Sequence, residues 1–413
     1  MFHMNTKIVP VSISLPVSYI LFIFLLLFII LFFYLKKKYG FWILQPVFHV
    51  YDIGYMFCTP TVIQVSLPDK NKYTNFKNID TIPYENLSDF KMNKFAKFIQ
   101  TNYLNYKTNI FAPKIENISP YFYGHGSKSF ISFYNEENLL TDLKTGIIIN
   151  EPKIIGVMTG RPLHVVINNG HEAKFDVYYI DYLCVDKSYR KKGIAPEVIQ
   201  THYYNQSHIN QNITVNLFKR EDELTGIVPL CVYSTYGFSV NTWTKPAELL
   251  PMYKLVEINA QNFHLLFSFI QDNSQQFDIL IQSEITNIIE LVHTKNVFIY
   301  AIVVQNEIVC AYFFRKSCVF VDKDLEVLSC FASINNYHDN KNDIFIRGFK
   351  ISFWKIAEAN HFGYSAIENI SHNNVIIDNL CIMTPPLIVS PTAYFFYNFA
   401  YRTFSSTKVF IIN

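Results

Sequence analysis

Three basic residues and a glycine, in the order Arg190-Lys191-Lys192-Gly193-Ile194-Ala195, form the stretch of this sequence that is best suited to bind an anion. A glycine lets the backbone approach a ligand closely, and the N-terminus of a helix presents free N–H groups to negative charge. The chemistry that fits this composition is the binding of a phosphate or pyrophosphate group. A solvated basic loop in front of an amphipathic helix is the alternative.

Two elements must position this turn. Residues 178–185 are aromatic and β-branched, with Asp181 as their one charge, which predicts a buried strand. After the turn, Val198 and Ile199 lie on one side at helical spacing, and Pro196 is tolerated in the first turn of a helix. Strand, basic turn and helix in this order favour an anion-binding turn over a solvated loop.

The composition bounds the class of protein. The chain has 413 residues, of which 50% are hydrophobic and 17% aromatic, which is enough for two ordinary domains with cores. A net charge of +2 gives no indication of nucleic-acid binding. The seven cysteines are odd in number and contain no Cys-x-x-Cys pair, which argues against a disulfide framework or a metal site and suits a reducing compartment.

The N-terminal segment is long and apolar. Residues 8–35 carry no charge, and a helix needs about 20 apolar residues to span a bilayer. Three lysines, residues 36–38, follow at once, so the positive-inside rule predicts a single-pass membrane protein whose remaining chain faces the cytosol. A cleaved signal peptide is the competing interpretation, but it would have a shorter apolar core and a cleavage site of small residues.

The residues of the turn and its strand resemble a known superfamily. Arg-x-x-Gly-x-Ala after an apolar strand is similar to the coenzyme A signature of the GNAT acyltransferases. The longer run, Leu183-Cys184-Val185 followed by Arg190 and by Ala195-Pro196, resembles one branch of it, glycylpeptide N-myristoyltransferase. Residues 394–399, Tyr-Phe-Phe-Tyr-Asn-Phe, also resemble a segment near the C-terminus of that family.

The resemblance implies an α+β fold with tandem GNAT-like acyltransferase domains, and the apolar N-terminal segment predicts one transmembrane helix in front of them. We expect an anchor at residues 1–40, an acyl-CoA-binding domain at 41–255 and a second, substrate-side domain at 256–413. No second Arg-x-x-Gly-x-Ala occurs in the chain, so only the first domain is expected to bind coenzyme A.

The resemblance also implies a set of site residues. The main-chain N–H groups of Tyr182 and Leu183, left unpaired by a bulge in the strand, are expected to hold the oxyanion. The terminal carboxylate of Asn413 is expected to be the base. The co-substrate would be an acyl-CoA such as myristoyl-CoA, and the acceptor a peptide or protein amine; Cys184 is expected to be a core residue. The coenzyme A cradle would be Arg190 with the backbone N–H groups of Lys191, Lys192, Gly193, Ile194 and Ala195.

Some features depart from the family. Its Gly-Asp-Gly before the aromatic segment is missing, no Asp or Glu occurs after Asp378, and its Thr-Ala-Gly strand end is replaced by Leu217-Phe218-Lys219. Two alternatives therefore stay open. One is another GNAT acyl- or acetyltransferase, whose general pattern the glycine at 193 fits. The other is a membrane-anchored scaffold that has lost catalysis.

Overall fold

The computed structural model describes residues 17–57, 59–104, 109–141, 148–170, 172–221, 226–241, 243–321, 325–337 and 342–413. The chain divides into two compact units, one that ends at Gln45 and one that runs from Pro46 to Asn413. Residues 8–16 of the predicted membrane span lie outside the described residues. Within the part of the chain that is described, no helix is long and apolar enough to cross a membrane.

The helices are numbered in chain order. They are α1 (Val17–Tyr39), α2 (Ile53–Met56), α3 (Asp89–Asn102), α4 (Ile115–Ile118), α5 (Ile194–Ile209), α6 (Phe263–Asp272), α7 (Ile285–His293), α8 (Asp343–Asn360) and α9 (Asn373–Met383).

The strands up to β10 belong to the first part of the large unit. They are β1 (Thr61–Val62), β2 (Ile79–Pro83), β3 (Asn109–Phe111), β4 (Phe130–Glu136), β5 (Leu139–Thr141), β6 (Ile148–Asn150), β7 (Lys153–Ile167), β8 (Ala173–Val185), β9 (Val215–Glu221) and β10 (Cys231–Ser239). The remaining strands are β11 (Lys254–Glu257), β12 (Ile279–Gln282), β13 (Val297–Val304), β14 (Glu307–Val321), β15 (Leu325–Asn335), β16 (Phe362–Glu368), β17 (Ile388–Tyr397), β18 (Phe399–Ala400) and β19 (Val409–Ile412).

One plan of strands and helices occurs twice in the large unit. In the first half β7 pairs antiparallel with β8, and the chain returns through α5 to β9, which pairs parallel with β8. In the second half β14 pairs antiparallel with β15, and the chain returns through α8 to β16, which pairs parallel with β15. A helix between two parallel strands is the expected connection, because parallel neighbours need a long crossover. The predicted repetition of the plan is confirmed.

The two halves exchange their last strands. Strand β10 follows the first half in sequence but pairs with β16 of the second, whereas β17 follows the second half and pairs with β9 of the first. Strands β10 and β17 also pair with each other, so a single fifteen-stranded sheet runs through both halves. The domain boundary expected at residue 255 stays a prediction, because hydrogen bonds cross between the two halves.

Local signals account for the elements around the basic turn. Strand β8 begins five residues before the predicted strand and ends where predicted, and α5 begins at Ile194 as expected. Residues Leu163, Val165 and Ile167 of β7 alternate into a core cluster with Val215 and Leu217 of β9. On the opposite face of β7, α5 packs its apolar stripe, so both faces of the central strands are covered.

Candidate active site

The parallel strands β8 and β9 separate where the site begins. Among the described residues their pairing runs from Val177↔Val215 to Ile180↔Phe218 and ends there. Strand β8 continues to Val185 and remains paired with β7 on its other edge. The backbone edge of β8 beyond Ile180 is thus turned toward an opening instead of toward a neighbouring strand.

A bulge in β8 lies at this opening. The register passes from Thr159↔Asp181 to Val157↔Cys184, so Tyr182 and Leu183 together oppose one residue of β7. Tyr182 has φ +49°, in the left-handed region that a bulky residue rarely adopts. Its ring is held among aromatic side chains, with centroid distances of 5.8 Å to Phe95, 5.7 Å to Tyr103 and 6.4 Å to Phe111. These contacts hold the bulge in place, and bulges re-aim backbone groups beside functional sites.

The structure corrects one detail of the predicted oxyanion site. The bulge is present, but the N–H of Tyr182 is not unpaired, because it donates to Oδ1 of Asp181 at 2.8 Å. A short carboxylate can fold back onto the next residue's amide at such a bend. Leu183 is exposed at the opening. Whether the two N–H groups hold an oxyanion stays a prediction.

A cavity of about 280 Å³ connects the bulge to the basic turn. Burial raises the pKa of Cys184, on its wall, to about 12, so this thiol is protonated at neutral pH and acts as a core residue. The residues on its wall include Leu183, in the bulge, and Arg190, the first residue of the turn. Its lining residues are Asn102, Tyr103, Leu104, Leu183, Cys184, Val185 and Arg190.

The basic turn has the backbone that sequence reasoning predicted. Gly193 is the residue before α5 and has φ +86°, and Lys191 is also left-handed at φ +65°. A Cβ added at Gly193 would meet open space, so the surface beside the helix N-terminus is clear. Helix α5 has 16 residues, and the first N–H groups of a helix lack intrahelical partners. Lys192 places its ammonium 4.7 Å from the centroid of the Tyr189 ring.

The side chain of Arg190 was expected to hold coenzyme A, but it bonds main-chain carbonyls of this chain. Its Nη2 donates to the carbonyl of Asn102 at 2.7 Å, and its Nε donates to the carbonyl of Val185 at 3.3 Å. The side chain therefore joins the end of α3 to the end of β8 and closes one wall of the cavity. Its charge stays next to the turn, but its guanidinium is engaged by main-chain carbonyls.

The C-terminal residue reaches a buried group of charges. Asn413 is 2% exposed, and its Oδ1 accepts a hydrogen bond from Nη1 of Arg315 at 3.0 Å. Nη2 of Arg315 lies 2.6 Å from Oε1 of Glu368, which Lys219 also approaches to 3.2 Å. Tyr233 donates its hydroxyl to the other oxygen of Glu368 at 2.5 Å. Although burial raises the pKa of Glu368, the charges of Lys219 and Arg315 bring it below its ordinary value.

Sequence reasoning missed this group of charges. Lys219, at the point where β9 leaves β8, was noted only as a departure from a family pattern. Arg315 and Lys316 stand between two apolar runs in β14, and an isolated basic residue at such a position is the signal that indicates a buried ion pair. Glu368 lies 149 residues from Lys219 and 53 residues from Arg315 along the chain, so no local pattern links the three.

The described residues contain no group of three or more His, Cys, Asp or Glu that fits a metal ion. His202 is buried in α5 and bonded to Ser132 and Gln206. Burial lowers its pKa to about 4, so it is a neutral structural residue.

A parallel pair that separates beside a bulge, with a helix between its strands that begins at a glycine turn, is the arrangement that the resemblance to the GNAT acyltransferases implies. The pair occurs twice in this chain. The predicted mixed α+β, tandem GNAT-like arrangement is therefore confirmed.

Comparison with known proteins agrees with this class of fold, and part of the chain matches one family model. Residues 69–225 match the family model described as "Myristoyl-CoA:protein N-myristoyltransferase, N-terminal domain". A crystal structure of Saccharomyces cerevisiae N-myristoyltransferase with bound myristoyl-CoA aligns with a TM-score of 0.64 at 13% identity, over 90% of this chain and 94% of that chain. A second structure of the same yeast enzyme with myristoyl-CoA has a TM-score of 0.65 at 12% identity, over 90% of each chain.

A more distant relative shares the tandem arrangement. A tandem GNAT protein from the clavulanic acid biosynthesis pathway aligns with a TM-score of 0.51 at 8% identity, over 78% of this chain and 98% of that chain. Curated protein sequences give no match. The resemblance to N-myristoyltransferase that the residues of the turn predict is confirmed for the segment matched and for the fold.

Proposed function

We propose that this chain transfers an acyl group from an acyl-CoA to an amine, as an N-myristoyltransferase-like enzyme. The observation that carries the proposal is the cavity of about 280 Å³, whose lining includes Leu183 in the bulge and Arg190, the first residue of the basic turn. A thioester at the bulge would have its pantetheine arm along β8 and its phosphates at the N-terminus of α5, where N–H groups and Lys192 supply positive potential. The match of residues 69–225 and the shared fold support the same reaction.

In this mechanism the amine of the acceptor attacks the thioester carbonyl. The electron pair of the carbonyl moves onto oxygen, and the N–H groups of the bulge hold that oxyanion. When the intermediate collapses, the C–S bond breaks and coenzyme A leaves as a thiolate that takes up a proton. One preorganised donor in such a site contributes typically about 2.7–4 kcal/mol to the lowering of the barrier.

The base is proposed to be the terminal carboxylate of Asn413. The residue is buried and its side chain is bonded to Arg315, so the end of the chain is held in place. An α-amino group has a pKa of about 7.7–8.0, so a carboxylate that is well placed needs to assist only slightly. A chain extended by one glycine past Asn413 should bind acyl-CoA normally but lose turnover. Full activity of the extended chain would dismiss the terminal base.

The acyl donor and the acceptor class are proposed from the same comparison. We expect a long-chain acyl-CoA such as myristoyl-CoA as donor and an N-terminal glycine or another amine as acceptor. The test titrates the full chain in detergent with myristoyl-CoA, acetyl-CoA and coenzyme A, and then adds a Gly-start peptide. Tight binding of myristoyl-CoA with acylated product supports the proposal. Preference for acetyl-CoA would favour the other GNAT chemistry, and binding of none would leave a scaffold.

Substitution of Arg190 tests whether this wall of the cavity contributes to acyl-CoA binding. Replacing it with alanine removes the bonds to the carbonyls of Asn102 and Val185 and one positive charge at the turn. We expect acyl-CoA affinity to fall about tenfold or more, whereas Lys187→Ala, in the preceding segment, should change it little. Unchanged affinity in Arg190→Ala, measured by calorimetric titration, would remove Arg190 from the cradle.

We further propose that α1 attaches the protein to a membrane with the large unit facing the cytosol. Residues 19–34 are all large and apolar, and all are exposed in their unit. The lysines at 36–38 give the orientation under the positive-inside rule. Expression in cells followed by alkaline extraction of membranes tests the attachment. Release of the full chain into the soluble fraction would dismiss it.

A further inference from the structure

We propose that Arg161 binds a carboxylate of the acceptor, so that the substrate of this chain carries both an amine and an acidic group. The inference rests on the acyl transfer proposed above and adds the class of acceptor to it. The observation behind it is a buried charge without a partner. Arg161 is 3% exposed, and its Nη1 is buried without a hydrogen-bond partner in the part of the chain that the structure describes.

Two aromatic rings hold the guanidinium of Arg161. Its central carbon lies 5.2 Å from the centroid of the Tyr121 ring and 5.0 Å from that of the Tyr179 ring. Ring faces favour a cation, but the N–H groups of a guanidinium point outward in its own plane and need acceptors there. The rings therefore orient the side chain without satisfying its donors, and a planar anion is the ligand that fits such a fork.

The other two cations on this side of the sheet are paired. Lys219 and Arg315 both contact Oε1 of Glu368, at 3.2 Å and 2.6 Å. Among the described residues no carboxylate forms such an ion pair with Arg161. A buried charge is normally paired, because an unpaired charge in a low-dielectric interior costs free energy. Arg161 is thus the cation that is left for a ligand.

Arg161 lies one row before the opening between β8 and β9. It pairs across β7 and β8 with Tyr179, and the next pair on the same face is Thr159↔Asp181, where β9 has already separated. Successive residues on one face of a strand are about 7 Å apart. A carboxylate at Arg161 would therefore lie about 7–10 Å from an amine at the bulge, which is the span of two or three residues of extended peptide.

The neighbouring strands supply Arg161 with no spare acid. Asp181 shares its face of the sheet, but Oδ1 of Asp181 already accepts a hydrogen bond from the N–H of Tyr182 at 2.8 Å. Strand β17, which pairs with β9, and strand β19 contain no Asp or Glu. The terminal carboxylate of Asn413 is assigned above to the base. A carboxylate brought by the acceptor would give Arg161 the anion that these strands do not.

Arg161 would then select the acceptor by charge. A carboxylate can accept two N–H groups of the guanidinium at once, whereas a neutral amide leaves the charge uncompensated and a basic group is repelled. We expect a KM about tenfold or more lower for an acidic acceptor than for its neutral isostere. The contact is made away from the reacting nitrogen, so kcat should differ little between the two.

The experiment uses the full chain in detergent with myristoyl-CoA and two matched pairs of acceptors. The first pair is Gly-Asp-Ala-Ala amide and Gly-Asn-Ala-Ala amide, which differ in a side-chain carboxylate. The second pair is the dipeptide Gly-Ala with a free C-terminus and its amide, which differ in a chain-end carboxylate. Acylated product is measured by chromatography. The pair whose acidic member has the lower KM identifies the source of the carboxylate.

Substitutions assign the preference to Arg161. Arg161→Met removes the guanidinium but keeps a long side chain between the rings, so the KM of the acidic acceptor should rise about tenfold or more and that of the neutral one should not. Lys174→Gln, an exposed cation on β8 that pairs with Glu172 at 2.8 Å, is the matched control and should keep the full preference.

The melting temperature separates binding from a structural role. Arg161→Met takes away an uncompensated buried charge, so it should melt at the same temperature as the natural chain or higher. An arginine that serves only to hold Tyr121 and Tyr179 together would give the opposite result, a lower melting temperature with an unchanged ratio of KM values.

The outcomes distinguish the two proposals. An acidic preference that Arg161→Met loses and Lys174→Gln keeps supports the carboxylate site. Equal KM values within both pairs, or a preference that persists in Arg161→Met, would overturn it and leave the acyltransferase proposal standing. If no acceptor is acylated, calorimetric titration with the same peptides decides. Tighter binding of an acidic member that depends on Arg161 would keep the site and count against acyl transfer, and equal or absent binding would overturn the site.

Discussion

The two halves of the large unit contain a similar opening between parallel strands, but the hydrogen bonds that the described residues make at the two openings differ. In the second half the pairing of β15 with β16 runs from Glu326↔Phe362 to Cys330↔Ile367, and β15 continues to Asn335. The register of β15 against β14 also shifts beside Cys330, which parallels the bulge of β8. The backbone geometry at the candidate site of the first half is thus present in the second half as well.

Side chains fill the second opening. The N–H of Ser333 donates to Oγ of Ser371 at 3.0 Å, and the N–H of Asn335 donates to Nδ1 of His372 at 2.8 Å. Asn373 accepts from Oγ of Ser333 at 2.6 Å and donates to the carbonyl of Glu368 at 2.8 Å. The segment from Ser371 to Asn373 therefore supplies hydrogen-bond partners to β15 beyond the end of its pairing with β16. The second opening is filled by these structural contacts.

The helices that follow the two openings, α5 and α8, also differ in the residues at their N-termini. Helix α5 begins after Gly193 and a run of basic residues, and the Glu197 in its first turn accepts hydrogen bonds from Asn75 and Tyr134, whereas α8 begins after Asn342 with Asp343 as its first residue. An acidic residue at a helix N-terminus already satisfies the positive end of the helix dipole and repels a phosphate.

The largest expected effect on stability concerns the buried ion pairs of Glu368. Glu368→Ala would leave Lys219 and Arg315 buried without their carboxylate, and breaking a buried ion pair typically costs about 3–5 kcal/mol. Chemical denaturation measures the free energy of unfolding. The exposed Glu307→Ala is the control and should change it by less than about 0.5 kcal/mol. A loss below about 1 kcal/mol for Glu368→Ala would mean that the two cations are compensated by other groups.

A ligand should distinguish the two openings. Myristoyl-CoA at about 100 times its Kd should stabilise the protein by about 2.7 kcal/mol. Because the cavity lies at the first opening, exchange at short times, which reports local opening, should slow in peptides that cover residues 181–195 and stay the same in those that cover 328–335. Equal protection of both segments would contradict the comparison.

Removing the side chain of Asn373 from the second opening should lower the stability of the protein. Asn373→Ala takes away the partners of Ser333 and of the Glu368 carbonyl, which leaves buried polar groups unsatisfied at a typical cost of about 1–3 kcal/mol. Thermal denaturation with the neighbouring Asn374→Ala as control measures the effect. Myristoyl-CoA affinity should be unchanged, since the filled opening does not bind it; a gain or loss of affinity would count against that assignment.

The smallest effect tests the junction between the halves. His164 on β7 bonds Asp176 at 2.6 Å and Glu284, next to α7, at 2.9 Å. Although burial lowers its pKa, the two carboxylates raise it above its ordinary value overall. The stabilisation is fully present below the unfolded pKa of about 6.5 and is lost as the pH rises through the folded pKa. The stability difference between the natural chain and His164→Gln should therefore be larger near pH 5.5 than near pH 8.5, by no more than about 1 kcal/mol for partly exposed groups.

Local sequence was a good guide to the elements of the site. The strand expected at residues 178–185 and the helix from Ile194 both occur within a few residues of their predicted bounds. Hydrophobic periodicity and turn residues act over short distances, so they can be read without knowing the fold. Asp181 stood out as the single charge in an apolar strand, but nothing local indicated that it would bond the amide of Tyr182.

The sequence by itself determined the elements and the basic turn, because glycine, charge and periodicity act within one strand or one helix. The tertiary structure decided which opening is a site. The buried contact of Glu368 with Lys219 and Arg315, the filling of the second opening by Asn373, and the exchange of β10 and β17 all join residues that are far apart in the chain. Burial makes such polar contacts obligatory, and only packing brings the partners together.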